Sequence, residues 1–230
     1  MEKFNQEKLL HGIKYTGQYL CRQFDLGEKI LNELEGIDIN KVDEKLQALI
    51  EIHVAITDYL PWIGQMSMNG CYMPAGNLAS TVFELSHRGV YIYHQNDALQ
   101  AFLLAHNTPD KGFDETIKAN IRKIVEKNIS SLGCSNIDSE YNIYKMLCNL
   151  KHSHPVFSRL ITDGKITVIP GGKSSDKRAL HNCNAVQYYS ARCASYITAL
   201  LLSHSPALFS EDCLNLREEV MKLKKECDEI

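Results

Sequence analysis

The sequence predicts an all-α protein, a single helical domain over residues 1–230, with a small β-hairpin inserted near residues 157–169. Two observations carry that expectation. Apolar residues recur three and four positions apart along most of the chain, the period of helices with one buried face. One segment, "FSRLITDGKITVIPGG", alternates instead, on either side of Asp163-Gly164, a pair that suits a tight hairpin turn.

The elements follow in order. A first helix is expected from Lys3 to Leu34, where Leu9, Leu10, Ile13, Leu20, Phe24, Ile30 and Leu31 recur one or two turns apart before Gly36. A second begins near Asp43 with Leu46, Ile50, Val54 and Leu60 as its stripe, and Pro61 is expected to kink or end it. The breaker "CYMPAGN" precedes a third helix from Ala75 to His94. Asn96 is expected to cap a short fourth, "NDALQAFLLAHN". Asp114 opens a fifth, with Lys118, Ile121, Ile124 and Val125 behind it. A sixth, within "CSNIDSEYNIYKMLCNLKHS", starts at Asp138 or Ser139. After the hairpin comes "PGGKSSDKR", a loop without the glycine–lysine spacing of a phosphate-binding P-loop. A helix from Ser175 to Ser203 follows. Residues 206–230 form a C-terminal amphipathic helix with Leu214, Leu216, Val220 and Leu223 as its seam, read as a surface helix on the bundle.

Composition narrows the function classes. Lys and Arg number 25 against 28 Asp and Glu, for a net charge of −3, so no global basic field attracts nucleic acid, although a local patch stays open. The N-terminal "MEKFNQEKLLHGIKYTG" has no apolar stretch of the secretory kind. The apolar run "ASYITALLLSHSPALF" is interrupted by Ser203, His204 and Pro206, well short of the ~18–20 residues that span a bilayer. A cytoplasmic protein without membrane association is expected. The 8 cysteines are widely and irregularly spaced with no CxxC pair, which reads as reduced thiols buried in helices.

Two helices carry polar stripes. On a helical wheel "YNIYKMLCNLKHS" places Ile143, Met146, Leu147 and Leu150 on one side and Lys145, Cys148, Asn149 and His152 on the other. His154 falls outside that stripe, beside Pro155. A solvated face would look the same. A histidine near a helix C-terminus, however, sits where the dipole favours the imidazolium, and a lysine lies two turns away. Histidine plus a cation is the minimal kit for cleaving a phosphodiester with the ribose 2′-hydroxyl: a proton acceptor, and a charge for the phosphorane.

The third helix carries Glu84, His87, Arg88, Tyr91 and Gln95 as a stripe. It is flanked by Leu78, Val82, Leu85 and Ile92 on one side and by Phe83 and Val90 on the other. Two apolar flanks predict a central helix, whose polar groups are satisfied internally or line a cleft. Glu84 and Arg88, four apart, suit each other as a pair; alternatively, Glu84 reaches across to orient His152 or Lys145. Glu84-Leu-Ser-His87 is one ExxH unit of the kind di-iron bundles use, but the chain has no second. No spacing recommends a zinc site among His87, His94, His152, His154 and Cys183. No metal or cofactor is expected.

The stretches "AGNLASTVFELSHRGVYIYHQNDALQAFL" and "YKMLCNLKHSHP" together resemble an uncharacterised bacterial all-helical family. That family has a Phe-Glu helix, then a Tyr-Arg-x-Leu-Ser-x-x-x-His-Pro helix, and is itself similar to HEPN domains. The resemblance spans residues 70–170. It implies a HEPN-like helical bundle that forms a homodimer and serves in toxin–antitoxin or antiphage defence. Many HEPN domains are metal-independent ribonucleases with an arginine and a histidine separated by four to six residues at the dimer cleft. The matching pair is Lys145 and His152, with His154 as the other candidate histidine. Glu84 would join them in catalysis, and Arg88, Tyr144 and Asn149 would support the substrate. The chain departs from the pattern in three places. Lysine lacks the planar fork of arginine, Cys148 stands where the family has serine, and Ser153 separates His152 from the His-Pro step. The resemblance therefore implies a non-catalytic module binding a partner protein or nucleic acid. The alternative is a ribonuclease in which His152 is the general acid/base and Lys145 meets the phosphate charge.

Overall fold

A computed structural model describes residues 6–107, 121–128, 137–151, 161–162, 165–166 and 177–229. Eight α-helices occupy most of these residues. The first, α1 (Gln6–Leu34), gives way at Gly36, whose φ of 81° is left-handed. A one-turn 3-10 segment, Ile39–Lys41, leads to α2 (Glu44–Met68). Asp43 starts α2 as expected, its carboxylate accepting the backbone N–H groups of Lys45 and Leu46.

Of the two outcomes open to Pro61, a kink or an end, the end does not occur: α2 continues to Met68. The Pro61 ring lies on the exposed face, while Ile63 and Ser67 beyond it are buried and hold the last turns in place. The breaker expected before Ala75 is itself helical, because α3 runs Tyr72–His94. Gly70, with φ 76°, turns the chain, and Pro74 falls in the first turn, where backbone N–H groups have no intrahelical partner.

The remaining helices are α4 (Asn96–Asn107), α5 (Ile121–Asn128), α6 (Ile137–Lys151), α7 (Lys177–His204) and α8 (Glu211–Asp228). Asn96 is the first residue of α4 rather than its cap, and α6 begins just ahead of Asp138 and Ser139. The expected start of α5 at Asp114 lies outside the described residues. Strands β1 (Ile161–Thr162) and β2 (Lys165–Ile166) pair antiparallel, with Ile161 opposite Ile166. The Asp163-Gly164 turn and the outer parts of the hairpin expected over 157–169 lie outside the described residues.

Helix α3 is central, as its two apolar flanks predict: it packs against α2, α4, α5, α6 and α7. Helix α7 also lies on α1 and α2, and α8 covers α1. Leu26, Ile30, Ile56, Leu60, Val82, Phe83, Ile197 and Leu201 meet in the core, each stabilising by roughly 1.5–3 kcal/mol relative to exposure. In α8 the seam differs from expectation at one residue. Cys213 and Val220 are buried with Leu216 and Leu223 half-buried, while Leu214 is exposed, because the small Cys213 takes the inward position beside it. Among the described residues all seven cysteines are free thiols, and no helix is long and apolar enough to cross a membrane.

Candidate functional site

Helices α3 and α6 lie side by side, and Glu84 of the α3 stripe meets Tyr144, one turn before Cys148 on α6. The Tyr144 hydroxyl donates to Glu84 Oε1 at 3.1 Å. Phe83 sets the spacing from beneath. Its ring stacks on His87 at 4.0 Å between centroids and on Tyr144 at 5.2 Å. Burial, then the neighbouring Cys148 and Glu84, push the Tyr144 phenol far above its ordinary range, so it stays a neutral donor to the carboxylate. Glu84 thus reaches across to α6, and the residue it meets there is Tyr144.

Lys145 stands on the outside of α6. It is exposed, and its Nζ lies 4.7 Å over the Tyr141 ring, one turn back along the helix. Cys148 is half-buried beside Tyr144. Arg88 is half-buried on the Glu84 side of α3. His152 and His154 lie outside the described residues, as does the side chain of Asn149. The surface that is described therefore presents the Lys145 cation over an aromatic ring, with the neighbouring Tyr144 engaging the Glu84 carboxylate.

Behind this surface lies a polar cluster that the wheel readings missed. His87, in the α3 stripe expected to be satisfied internally or to line a cleft, is wholly buried. Its Nδ1–H donates to the Phe83 carbonyl at 3.0 Å, which leaves Nε2 facing Glu140 Oε2 at 3.7 Å. Glu140, also buried, is held by the Arg192 guanidinium from α7 and by the Tyr196 hydroxyl at 3.4 Å. Burial pushes the His87 imidazole down to about 4 although Glu140 pulls the other way, with Arg192 opposing protonation too. The ring is neutral at physiological pH. Asn128 Nδ2 donates to the His87 carbonyl at 2.8 Å and Lys127 Nζ lies 5.4 Å over Tyr91, so α5 covers this side of α3.

One signal for this cluster was present in the sequence. Glu140 sits three and seven residues before Ile143 and Leu147, on the buried side of α6. A carboxylate on an apolar stripe implies a buried cation, and Arg192, within "SARCASYITALLL", supplies it. Among the described residues no group of three histidine, cysteine, aspartate or glutamate side chains converges as metal ligands would.

No family model, no curated protein and no solved structure matches the chain.

Proposed function

We propose that the protein is a HEPN-like helical module of the toxin–antitoxin or antiphage-defence kind, acting as a homodimer, which binds a partner protein or nucleic acid without cleaving it. The supporting observation is how the charges around α6 are divided. Glu84 engages Tyr144, whereas Lys145 projects to solvent over Tyr141. A cleaving site needs acid, base and cation converging on one phosphate within hydrogen-bond reach. A binding face needs only exposed groups of suitable chemistry. The departures of Lys145, Cys148 and Ser153 from the HEPN motif support the same reading.

The test is cleavage of a labelled RNA pool in EDTA by wild type, His152→Ala, Lys145→Ala and Glu84→Gln. The expected outcome is no cleavage above the buffer control by folded protein. Metal-independent cleavage that His152→Ala and Lys145→Ala both abolish would overturn the module in favour of a ribonuclease, with His152 as general acid/base. Sedimentation equilibrium reads the homodimer directly.

A further inference from the structure

Helix α8 is held differently from the helices of the core. Of its 18 residues two are buried, Cys213 and Val220, against ten of 25 in α2 and eleven of 23 in α3. Leu216, Leu223 and Cys227 add half-buried contact along the same seam. The apolar seam is therefore narrow, and the shortest polar contacts from α8 to its neighbours gather at its two ends.

At the first end the clamp is Glu33 of α1. Its Oε2 accepts the Ser210 backbone N–H at 2.8 Å, and its Oε1 accepts the Ser210 hydroxyl. Ser210 in turn caps α8, its Oγ accepting the Cys213 N–H at 3.3 Å. At the second end the Tyr188 hydroxyl of α7 donates to Asp228 Oδ1. Between the clamps Arg22 and Glu219 approach to 4.0 Å with both side chains at least half exposed, a pair that adds little. The helix also carries its own support. Glu211 and Asp212 lie in its first turn and Lys225 in its last, where the dipole favours each charge, and Lys224 pairs with Asp228 at 2.7 Å. Phe209, buried in the core, anchors the chain just ahead of Ser210.

We infer that α8 is a releasable strap, which opens from α1 and α7 as one unit about Phe209 and uncovers the Cys213–Val220 seam with the side of α1 beneath it. A helix that supports itself and docks through a narrow seam leaves as a cooperative body, so loosening one end loosens the other. The bundle beneath stays closed, because α2, α3 and α7 bury one another without α8. Release presents an amphipathic helix and its bed on α1 while the rest of the fold is unchanged. Opening is independent of whether the protein binds or cleaves nucleic acid.

Cysteine reactivity reads the strap directly. Cys213 on α8 is 0% exposed and reports opening, whereas Cys183 on α7 is 3% exposed and reports unfolding of the bundle. The experiment is labelling of the native protein with N-ethylmaleimide, followed site by site by peptide mass spectrometry. In wild type Cys213 should react about tenfold faster than Cys183 or more, as for a unit that opens below the global limit. Tyr188→Phe and Asp228→Ala release the clamp that lies about 22 Å along the helix from Cys213. Each should speed Cys213 labelling about fivefold, the ordinary contribution of one hydrogen bond, and leave Cys183 unchanged. Tyr188→Phe does so without altering α8 itself, and circular dichroism checks that both variants are folded. Cys213 reacting no faster than Cys183 would overturn the strap, because α8 would then open only with the whole bundle. So would acceleration confined to Cys227, which is fraying of one end, or equal acceleration of Cys213 and Cys183, which is loss of global stability.

Discussion

Asp43 joins the start of one helix to the end of another. Its Oδ1 accepts the N–H groups of Lys45 and Leu46 that open α2, and its Oδ2 meets His204 Nε2, in the last turn of α7, at 2.8 Å. The other His204 nitrogen lies 3.3 Å from the Tyr93 hydroxyl, near the end of α3. An acid at a helix N-terminus and an imidazole at a C-terminus are each placed where the helix dipole favours their charge.

Asp43→Ala should lower stability by about 1–2 kcal/mol through loss of the cap. Asp43→Asn keeps a capping oxygen and should cost less. Desolvation works against the Asp43 charge, yet the hydrogen bonds from His204 and from the backbone of Leu46 and Lys45 hold its carboxyl below the ordinary range. A folded-state value below the unfolded one means the contribution is complete above the unfolded pKa of about 4 and is lost as the pH falls through the folded value. The gap in melting temperature between wild type and Asp43→Asn should therefore close in acid. A gap that persists unchanged at pH 2 would show that the carboxylate charge is not involved.

Acid should act earlier through two buried imidazoles. His53 donates from Nε2 to the Gly27 carbonyl at 3.2 Å, and burial pushes both His53 and His87 from 6.5 down to about 4. The unfolded chain takes up these protons near pH 6.5 and the folded chain does not, so stability is full above that pH and declines towards pH 4. The loss at the lower limit is on the order of 3 kcal/mol for each ring. Urea midpoints measured from pH 7.5 to 4.5 should fall steadily. In the same range two histidine ring resonances should fail to titrate near 6.5. If every histidine titrates there, neither ring is buried as described.

The Glu140–Arg192 pair should respond unequally to single and double substitution. Arg192→Ala leaves the buried Glu140 carboxylate without its guanidinium and should cost about 3–5 kcal/mol, whereas Glu140→Ala leaves the part-exposed Arg192 and should cost less. Glu140→Leu with Arg192→Met removes both charges while keeping bulk, and should recover most of that loss. Denaturant unfolding of the four proteins gives the coupling. A double substitution as damaging as the sum of the singles would mean that the two charges do not act together.

These buried charges mark where the sequence becomes hard to read. Helices were legible because each buries one face, and the wheel of α6 placed Lys145 outside and Ile143 and Leu147 inside correctly. Pro74 misled, because a proline costs little where its missing N–H falls in a first turn. His87 was legible in part. The two apolar flanks of α3 left it either satisfied internally or lining a cleft, and Phe83, Glu140 and α5 enclose it. The meeting of Glu84 with Tyr144 depends on how α3 and α6 are set side by side, which neither helix encodes alone.

Gly27 sets the approach of α1 to α2, and it offers the sharpest test of the packing. A Cβ added there would lie 2.8 Å from Thr57 Oγ1 and 3.0 Å from its Cγ2. Thr57 is buried and β-branched, so its χ1 has few alternatives, and its hydroxyl has no hydrogen-bond partner among the described residues. Alanine would gain about 1 kcal/mol of helix propensity over glycine. Overpacking at a rigid neighbour costs about 1–3 kcal/mol and, with the His53 bond to the Gly27 carbonyl disturbed as well, should outweigh that gain. Gly27→Ala should therefore destabilise on its own. Gly27→Ala with Thr57→Ala removes the clash and the unsatisfied hydroxyl together, and should be at least as stable as Thr57→Ala. A double-mutant cycle read from urea unfolding should show favourable coupling above about 1 kcal/mol. A neutral or stabilising Gly27→Ala would mean that the two helices stand further apart than this contact requires.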